Sequence, residues 1–265
     1  MIRNTVFPSD TIDTEALPAV RRIEPAHLRR ALRLGWDDFL AKRGDLLFVG
    51  VLYPLVGLLV AVVTVGDRLL PLFFPLVAGL SILGPLVAAG FYEIARRRAD
   101  GDEAGWSHFL DPLQPARRHG VLAIGAMLIV LFFAWLLIAW TLYEATLGRL
   151  EPQGVEGFLR ALFTTPEGWT LILLGNAAGA LIAALTLALT VVSVPMAVDK
   201  PVSGVAAVRT SIRAVTANPG VMLRWGLIVA ALLVAGTIPL FIGLAVVLPV
   251  LGYATWHLYG MLVER

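Results

Sequence analysis

The sequence predicts an all-α protein, a polytopic transmembrane bundle of six spans with amphipathic interfacial helices on the cytoplasmic side. Three observations lead to this fold class. Of the 265 residues, 58% are apolar and 15% are charged, whereas soluble domains are roughly half apolar and about a quarter charged. The apolar residues gather in uncharged runs of more than about 18 residues, a length typical of membrane spans. Basic residues cluster in alternate loops, as the positive-inside rule requires.

The uncharged windows define the spans, because about 20 helical residues cross a hydrocarbon layer of ~30 Å. The last window is about twice as long as one crossing. Gly236, Thr237 and Pro239 lie near its middle and predict a tight hairpin there. Residues 1–24 are predicted to be a flexible polar tail, and residues 25–265 a single integral membrane domain. The predicted spans are 46–66, 69–93, 120–143, 169–195, 221–238 and 240–262.

The charge distribution predicts the orientation in the membrane. All but three of the 21 Lys and Arg residues fall on one side of the six-span topology; the exceptions are Arg68, Arg149 and Arg160. Short loops rich in Lys and Arg stay in the cytoplasm. We therefore expect a multi-pass protein of the bacterial inner membrane with both termini cytoplasmic. The absence of cysteine excludes disulfides and thiolate metal sites.

The segment after Pro25 has the pattern of an amphipathic helix that lies on anionic lipid. Its predicted apolar face contains Leu28, Leu32, Trp36 and Phe39. A second such segment begins near Pro201. Its predicted apolar stripe is Val205, Val208, Ile212 and Val215. The residues predicted to anchor the protein at the interface are Arg29, Arg30, Arg33, Trp36, Arg96, Arg97 and Arg98.

The two amphipathic segments align without a gap. Ala31 and Arg33 in the first match Ala207 and Arg209 in the second. Chance and an internal repeat explain this alignment equally well. A true repeat would make the protein three units, each an interfacial helix followed by a two-span hairpin.

Three short stretches resemble a known family. They read LGWDDF at 34–39, GFYEIARRR at 90–98 and VPMAVDKPVSGVAAVRTSIRAVTANPGVMLRW at 194–225. They resemble uncharacterised bacterial membrane proteins known only as a domain of unknown function, some of which are labelled as similar to cytochrome oxidase subunits. The resemblance implies a family and a six-span membrane fold, but no activity. The family-motif positions are Pro195, Asp199, Ala207, Ser211 and Asn218.

Candidate chemistry in the spans is sparse. His257 lies in a predicted span and His119 begins another, so this pair is the one weak candidate for binding haem; interfacial anchoring is the favoured role. Glu93 is predicted to pair with Arg97 four residues on. No catalytic residue, cofactor or metal ligand is predicted, since the sequence contains no motif for any of them.

The fourth predicted span carries a small-residue motif of the kind that lets helices approach closely. Helix packing is the favoured role of this motif. Contact with a substrate or with a second copy of the chain is the alternative. The residues concerned are Gly175, Asn176, Gly179 and Ala183.

These observations favour a non-enzymatic inner-membrane scaffold, assembly factor or accessory subunit of a larger membrane complex, such as a respiratory complex. The alternative is a carrier or channel for a lipid or a neutral small solute. The expected partners are membrane lipids and other integral membrane subunits, or a second copy of the chain, and not nucleic acid.

Overall fold

Helices make up the regular structure of the computed structural model, which describes residues 17–41, 70–150, 152, 154–239 and 241–264. Apart from an isolated bridge between Val20 and Val263, the described regular elements are helical. The predicted all-α class is confirmed. The helices are α1 (Pro25–Ala41), α2 (Phe73–Asp100), α3 (Arg118–Ala145), α4 (Gly154–Thr164), α5 (Pro166–Thr190), α6 (Ser193–Asp199), α7 (Gly204–Ala217), α8 (Pro219–Thr237) and α9 (Leu244–Leu262).

Within the described residues, five helical stretches are long and apolar enough to cross a membrane. They correspond to the second to sixth predicted spans, and the first, 46–66, lies outside the described residues. Large apolar side chains along α3, α5 and α8 are exposed, as expected for surfaces that meet lipid. The chain is a multi-pass integral membrane protein. The five stretches are Leu70–Asp100, Arg118–Ala145, Pro166–Asp199, Pro219–Thr237 and Leu244–Leu262.

Local sequence signals explain where several helices begin and end. Gly101 follows α2 with φ 79°, and its N–H and that of Asp102 bond to carbonyls of the last turn, as in a glycine C-cap. Thr165 caps the start of α5 by accepting a hydrogen bond from the Gly168 N–H. Ser203 caps α7 by accepting one from the Ala206 N–H.

The fourth predicted span is not one continuous helix. The α-helix α5 ends at Thr190, and α6 begins at Ser193. Pro195 explains the break, because its ring clashes with the carbonyl of Val191 four residues earlier and it has no N–H to donate. The Val192 N–H at the break donates to the Ser211 hydroxyl of α7 at 3.2 Å. The break therefore directs the chain toward α7.

Two further segments complete the comparison with the predicted topology. The hairpin predicted near Gly236 is present as a turn between α8 and α9, where Phe241 has φ 66°. The amphipathic α4 lies between the third and fourth spans and was not predicted. Its eleven residues are too few for a crossing.

The helix α1 lies across one end of the bundle. Ile23, just before α1, bonds to Asn218 at the start of α8. Asp38, in its last turn, bonds to His257 near the end of α9. We call this end, where α1, α6, α7 and the C-terminal turns of α2 and α9 meet, the basic end.

Residues 19–23, which belong to the predicted flexible tail, are held at the basic end. The Arg21 N–H donates to the Leu262 carbonyl at 2.8 Å, and Ile23 is buried. The Arg21 guanidinium also pairs with Glu264 at 3.0 Å. Residues 19–23 of the predicted tail therefore pair with the C-terminal segment.

The predicted apolar stripe of α7 also differs from its buried face. Val205 and Ile212 are exposed, whereas the buried side chains are small or hydroxylated. Small side chains allow α7 to approach α3 closely. At the start of α7, a Cβ on Gly204 would lie only 2.8 Å from the Ala123 Cβ of α3. The residues of α7 that are buried are Ala206, Ala207, Thr210, Ser211 and Ala214.

Candidate functional site at the basic end

The three motif stretches meet on the C-terminal half of α9. Each stretch, although distant in sequence from the others, places a residue against this helix. Most side chains from Pro249 to Leu262 are buried as a result. The contacts are Gly35 with Ala254, Phe91 with Tyr253 and Asp199 with Tyr259.

Glu93 is a buried carboxylate held by arginines, with 1% of its surface exposed. Arg96 binds both carboxylate oxygens, at 2.6 and 2.9 Å. Arg117, from the segment before α3, binds one of them at 3.1 Å. The predicted partner Arg97 is present but farther away, at 3.9 Å. Burial of this charge is tolerable because it is paired and hydrogen-bonded.

Arg97 makes closer contacts with the segment that follows α2. Its Nε donates to the Glu103 carbonyl at 2.6 Å, and its Nη1 lies 3.6 Å from the Asp111 carboxylate. Asp111 in turn lies 2.9 Å from His108. Arg97, predicted as a lipid anchor, thus fastens the 101–117 segment to α2. Arg96, also predicted as an anchor, pairs with Glu93 and Asp100 of α2 itself.

An aromatic cluster reinforces the same attachment. Trp106 and Phe109 stack with their ring centroids 4.9 Å apart, and Phe91 meets both rings edge-on. Gly90 makes this possible, because a Cβ there would overlap the Phe109 ring. The glycine and phenylalanine that begin the 90–98 stretch therefore have a packing role.

Asp38 links α1 to both α9 and α2. Its carboxylate lies 2.7 Å from His257 Nε2 and 3.4 Å from Arg98 Nη1. The aspartate engages the nitrogen of His257 that a haem iron would use, so the local geometry does not fit a haem ligand. His119 is exposed at the start of α3.

The family-motif residues of the 194–225 stretch have structural contacts. Pro195 and Ser211 form and satisfy the break between α5 and α6, as described above. Ala207 is fully buried in α7. Asp199 accepts a hydrogen bond from the Tyr259 hydroxyl at 2.9 Å.

Asn218 connects three segments through one side chain. Its carbonyl oxygen accepts from the Ile23 N–H at 2.8 Å. Its amide nitrogen donates to the carbonyls of Arg21 and Ala214, at 3.1 and 3.0 Å. All of these atoms belong to a buried or partly buried junction, so Asn218 fixes the N-terminal segment to the joint between α7 and α8.

The predicted small-residue face of α5 lies largely on the outside. Gly179 approaches the Trp135 ring, whereas a Cβ on Gly175 would have no atom within 4 Å. Asn176 and Ala183 are exposed. The Asn176 amide nitrogen donates to the Ile172 carbonyl of its own helix at 2.7 Å. The described residues therefore leave much of this face available to lipid or to another helix.

The predicted anchors on α1 lie on its outer surface. Arg29, Arg30 and Arg33 are exposed, and Trp36 is 44% exposed, while Gly35 packs inward against α9. Their role as interfacial anchors stays a prediction. The long-range ion pairs at the basic end were not recognised from the sequence, because Asp38 and Arg117 are close to His257 and Glu93 only after folding.

The described residues thus define a helical, multi-pass membrane protein with a polar, ion-paired end. Residues 73–199, from α2 to α6, match the model of the family described as predicted integral membrane protein (DUF2189). The expected resemblance to an uncharacterised membrane family is confirmed. No curated protein and no solved structure was found to match the chain. In the described part of the chain, no group of three or more His, Asp or Glu residues is arranged to hold a metal ion.

Proposed function

We propose that this protein is a non-enzymatic scaffold or accessory subunit of a larger inner-membrane complex, and that α5 is the helix that meets the partner. The observation that carries the proposal is the exposed amide of Asn176, which lies well inside a membrane-spanning helix. An amide that faces hydrocarbon loses its hydrogen bonds with water, and the bond to the Ile172 carbonyl uses only one of the N–H donors of Asn176. A polar group on a neighbouring helix restores them, which favours association.

The residues around Asn176 suit a close helix contact. Gly175, Gly179 and Ala183 lie along the same side of α5 at intervals of four residues, so a partner backbone can approach. The inner edge of this side already packs against Trp135. The outer edge, with Ala183 and Asn176, is exposed and is the surface that we assign to the partner.

The chemistry of the basic end supports a structural rather than an enzymatic role. Glu93 is enclosed by arginines, and Asp38 is engaged by His257 and Arg98. Side chains held in this way stabilise the junction between helices. A partner that binds α5 would therefore bind a helix bundle whose basic end is held together by ion pairs.

The structure also supports the proposed orientation with both termini in the cytoplasm. Both ends of α1 and residues 262–264 lie at the basic end. The α-helix α2 is about 42 Å long and its C-terminus lies at the basic end. Its first residue, Phe73, therefore lies at the opposite end of the bundle. The described residues on either side of 42–69 are thus at opposite ends of the bundle, which supports a crossing at 46–66.

A pair of matched substitutions tests the proposal. Ala183→Leu adds bulk to the assigned surface, whereas Ala177→Leu makes the same change on an exposed position about 120° around α5. Each variant is purified from native membranes in mild detergent, and its bound subunits are identified by native mass spectrometry. We expect a constant membrane subunit with the wild type and with Ala177→Leu, and its loss with Ala183→Leu.

The alternative outcomes are clear. A lone chain in the wild type, or the same subunit bound to both variants, would contradict the assignment to α5. Thermal unfolding of both variants provides the folding control, because both alanines are exposed and neither substitution should lower the unfolding temperature. Solute or lipid transport by the lone chain in liposomes would favour the carrier alternative.

A further inference from the structure

An open groove lies between the N-terminal segment and the start of α8. It has a volume of about 340 Å³ and is lined by Arg22, Ile23, Pro25, residues 217–221 and Arg224. Two arginines, Arg22 and Arg224, contribute to its lining. Neither forms an ion pair with a described residue, unlike Arg21 next to it, which pairs with Glu264. The groove therefore carries two cations without a neutralising carboxylate in its lining.

The backbone at the start of α8 adds further donors to the groove. Asn218 directs its side chain to Arg21, Ile23 and Ala214, so it does not cap the first turn of α8. Gly220 and Val221 line the groove at this uncapped turn. Free N–H groups at a helix start favour an anion. Two arginines and a helix start thus suit one phosphate group.

The surface next to the groove is apolar. Leu223 and Leu227, on the same helix, are exposed. Leu227 lies about 10 Å along α8 from Gly220, in the stretch long and apolar enough to span a membrane. If the anionic group of a lipid occupied the groove, its hydrocarbon chains would therefore lie along α8. This arrangement matches a phospholipid and not a free anion.

We propose that this groove binds the phosphate of an anionic phospholipid, with Arg22 and Arg224 as its cationic ligands and Leu223 and Leu227 against an acyl chain. The cationic lining selects a lipid with net negative charge over a zwitterionic one. Because the groove joins the N-terminal segment to α8, the bound lipid also bridges these two segments. This inference is independent of the proposed partner surface on α5.

Native mass spectrometry with defined lipids tests the site. The full chain in a neutral detergent is titrated with phosphatidylglycerol, with phosphatidylcholine of the same acyl chains, and with inorganic phosphate. We expect preferential retention of phosphatidylglycerol, and a loss of affinity of at least about tenfold in Arg22→Gln/Arg224→Gln, since each arginine near a membrane surface contributes appreciably.

The control variant is Arg209→Gln/Arg213→Gln, which removes two exposed arginines of α7 that do not line the groove. It should retain phosphatidylglycerol as the wild type does. An equal loss in both double variants, or no loss in either, would overturn the site. Inorganic phosphate that binds as tightly as phosphatidylglycerol would overturn its assignment to a lipid. Unchanged unfolding temperatures in both variants show that the comparison reports binding and not folding.

Discussion

The contact between α1 and α9 gives the sharpest test of the fold. The methyl group added by Gly35→Ala should lower stability if α1 packs on α9, and raise it if α1 lies on lipid without that contact. A Cβ on Gly35 would lie 2.6 Å from the Ala254 backbone nitrogen and 2.8 Å from its Cα. Ordinary contacts between such atoms are about 3.5–4.0 Å. Backbone atoms cannot rotate away, so Gly35→Ala must push the two helices apart.

The expected effect is a net destabilisation. Overpacking of this kind costs about 1–3 kcal/mol, and the upper half of that range applies because backbone meets backbone. Replacing a helical glycine by alanine returns about 1 kcal/mol. The net loss is about 1–2 kcal/mol, which corresponds to a fall in unfolding temperature of about 2–8 °C for a chain of this size.

Thermal unfolding in detergent, followed by tryptophan fluorescence, measures this change. Gly260→Ala is the matched control, because a Cβ there has no atom within 4 Å and the helix should gain stability or remain unchanged. If α1 lay on lipid without packing on α9, Gly35→Ala would raise the unfolding temperature as the helix propensity dictates. Such a rise would refute the packing of Gly35 against Ala254.

Two further predictions concern the junction at Asn218 and the membrane topology. Asn218→Ala removes three hydrogen bonds and leaves the buried Ile23 N–H without its acceptor, at a cost of about 2–4 kcal/mol. Hydrogen exchange of the N-terminal segment should accelerate, whereas Asn176→Ala, at an exposed amide, should leave it unchanged; unaltered exchange in both variants would show that the junction does not depend on Asn218. For topology, reporter fusions at Lys200 should read cytoplasmic and those at Gln153 external, and a cytoplasmic reading at Gln153 would exclude the six-span arrangement.

Much of the fold could be predicted because membrane spans are encoded by composition over a long window. The helices that cross the bilayer appear as uncharged runs, and their caps, such as Gly101 and Thr165, follow local rules. The break before Pro195 could have been predicted from the proline alone. Its consequence, the hydrogen bond from Val192 to Ser211, depends on a helix that is distant in sequence.

Predicting which face of each helix is buried was less successful. In α7 the large residues Val205 and Ile212 are exposed and small residues are buried. Periodicity detects an apolar face but cannot tell whether that face meets lipid or protein, since both are apolar. The same ambiguity applies to Trp36, which was assigned to the apolar face of α1 and is 44% exposed.

The uneven burial of the bundle has a physical cause. Nearly the whole C-terminal half of α9 is buried, whereas α5 buries few of its residues. At the basic end, apolar side chains of α1 and of the 101–117 segment leave water when they pack, so the hydrophobic effect drives their burial. Within the bilayer, lipid chains are as apolar as leucine and give helices no comparable reason to associate. The helices are therefore joined firmly at the basic end, while association of another helix with α5 around Asn176 would have to rest on polar and close-packing contacts.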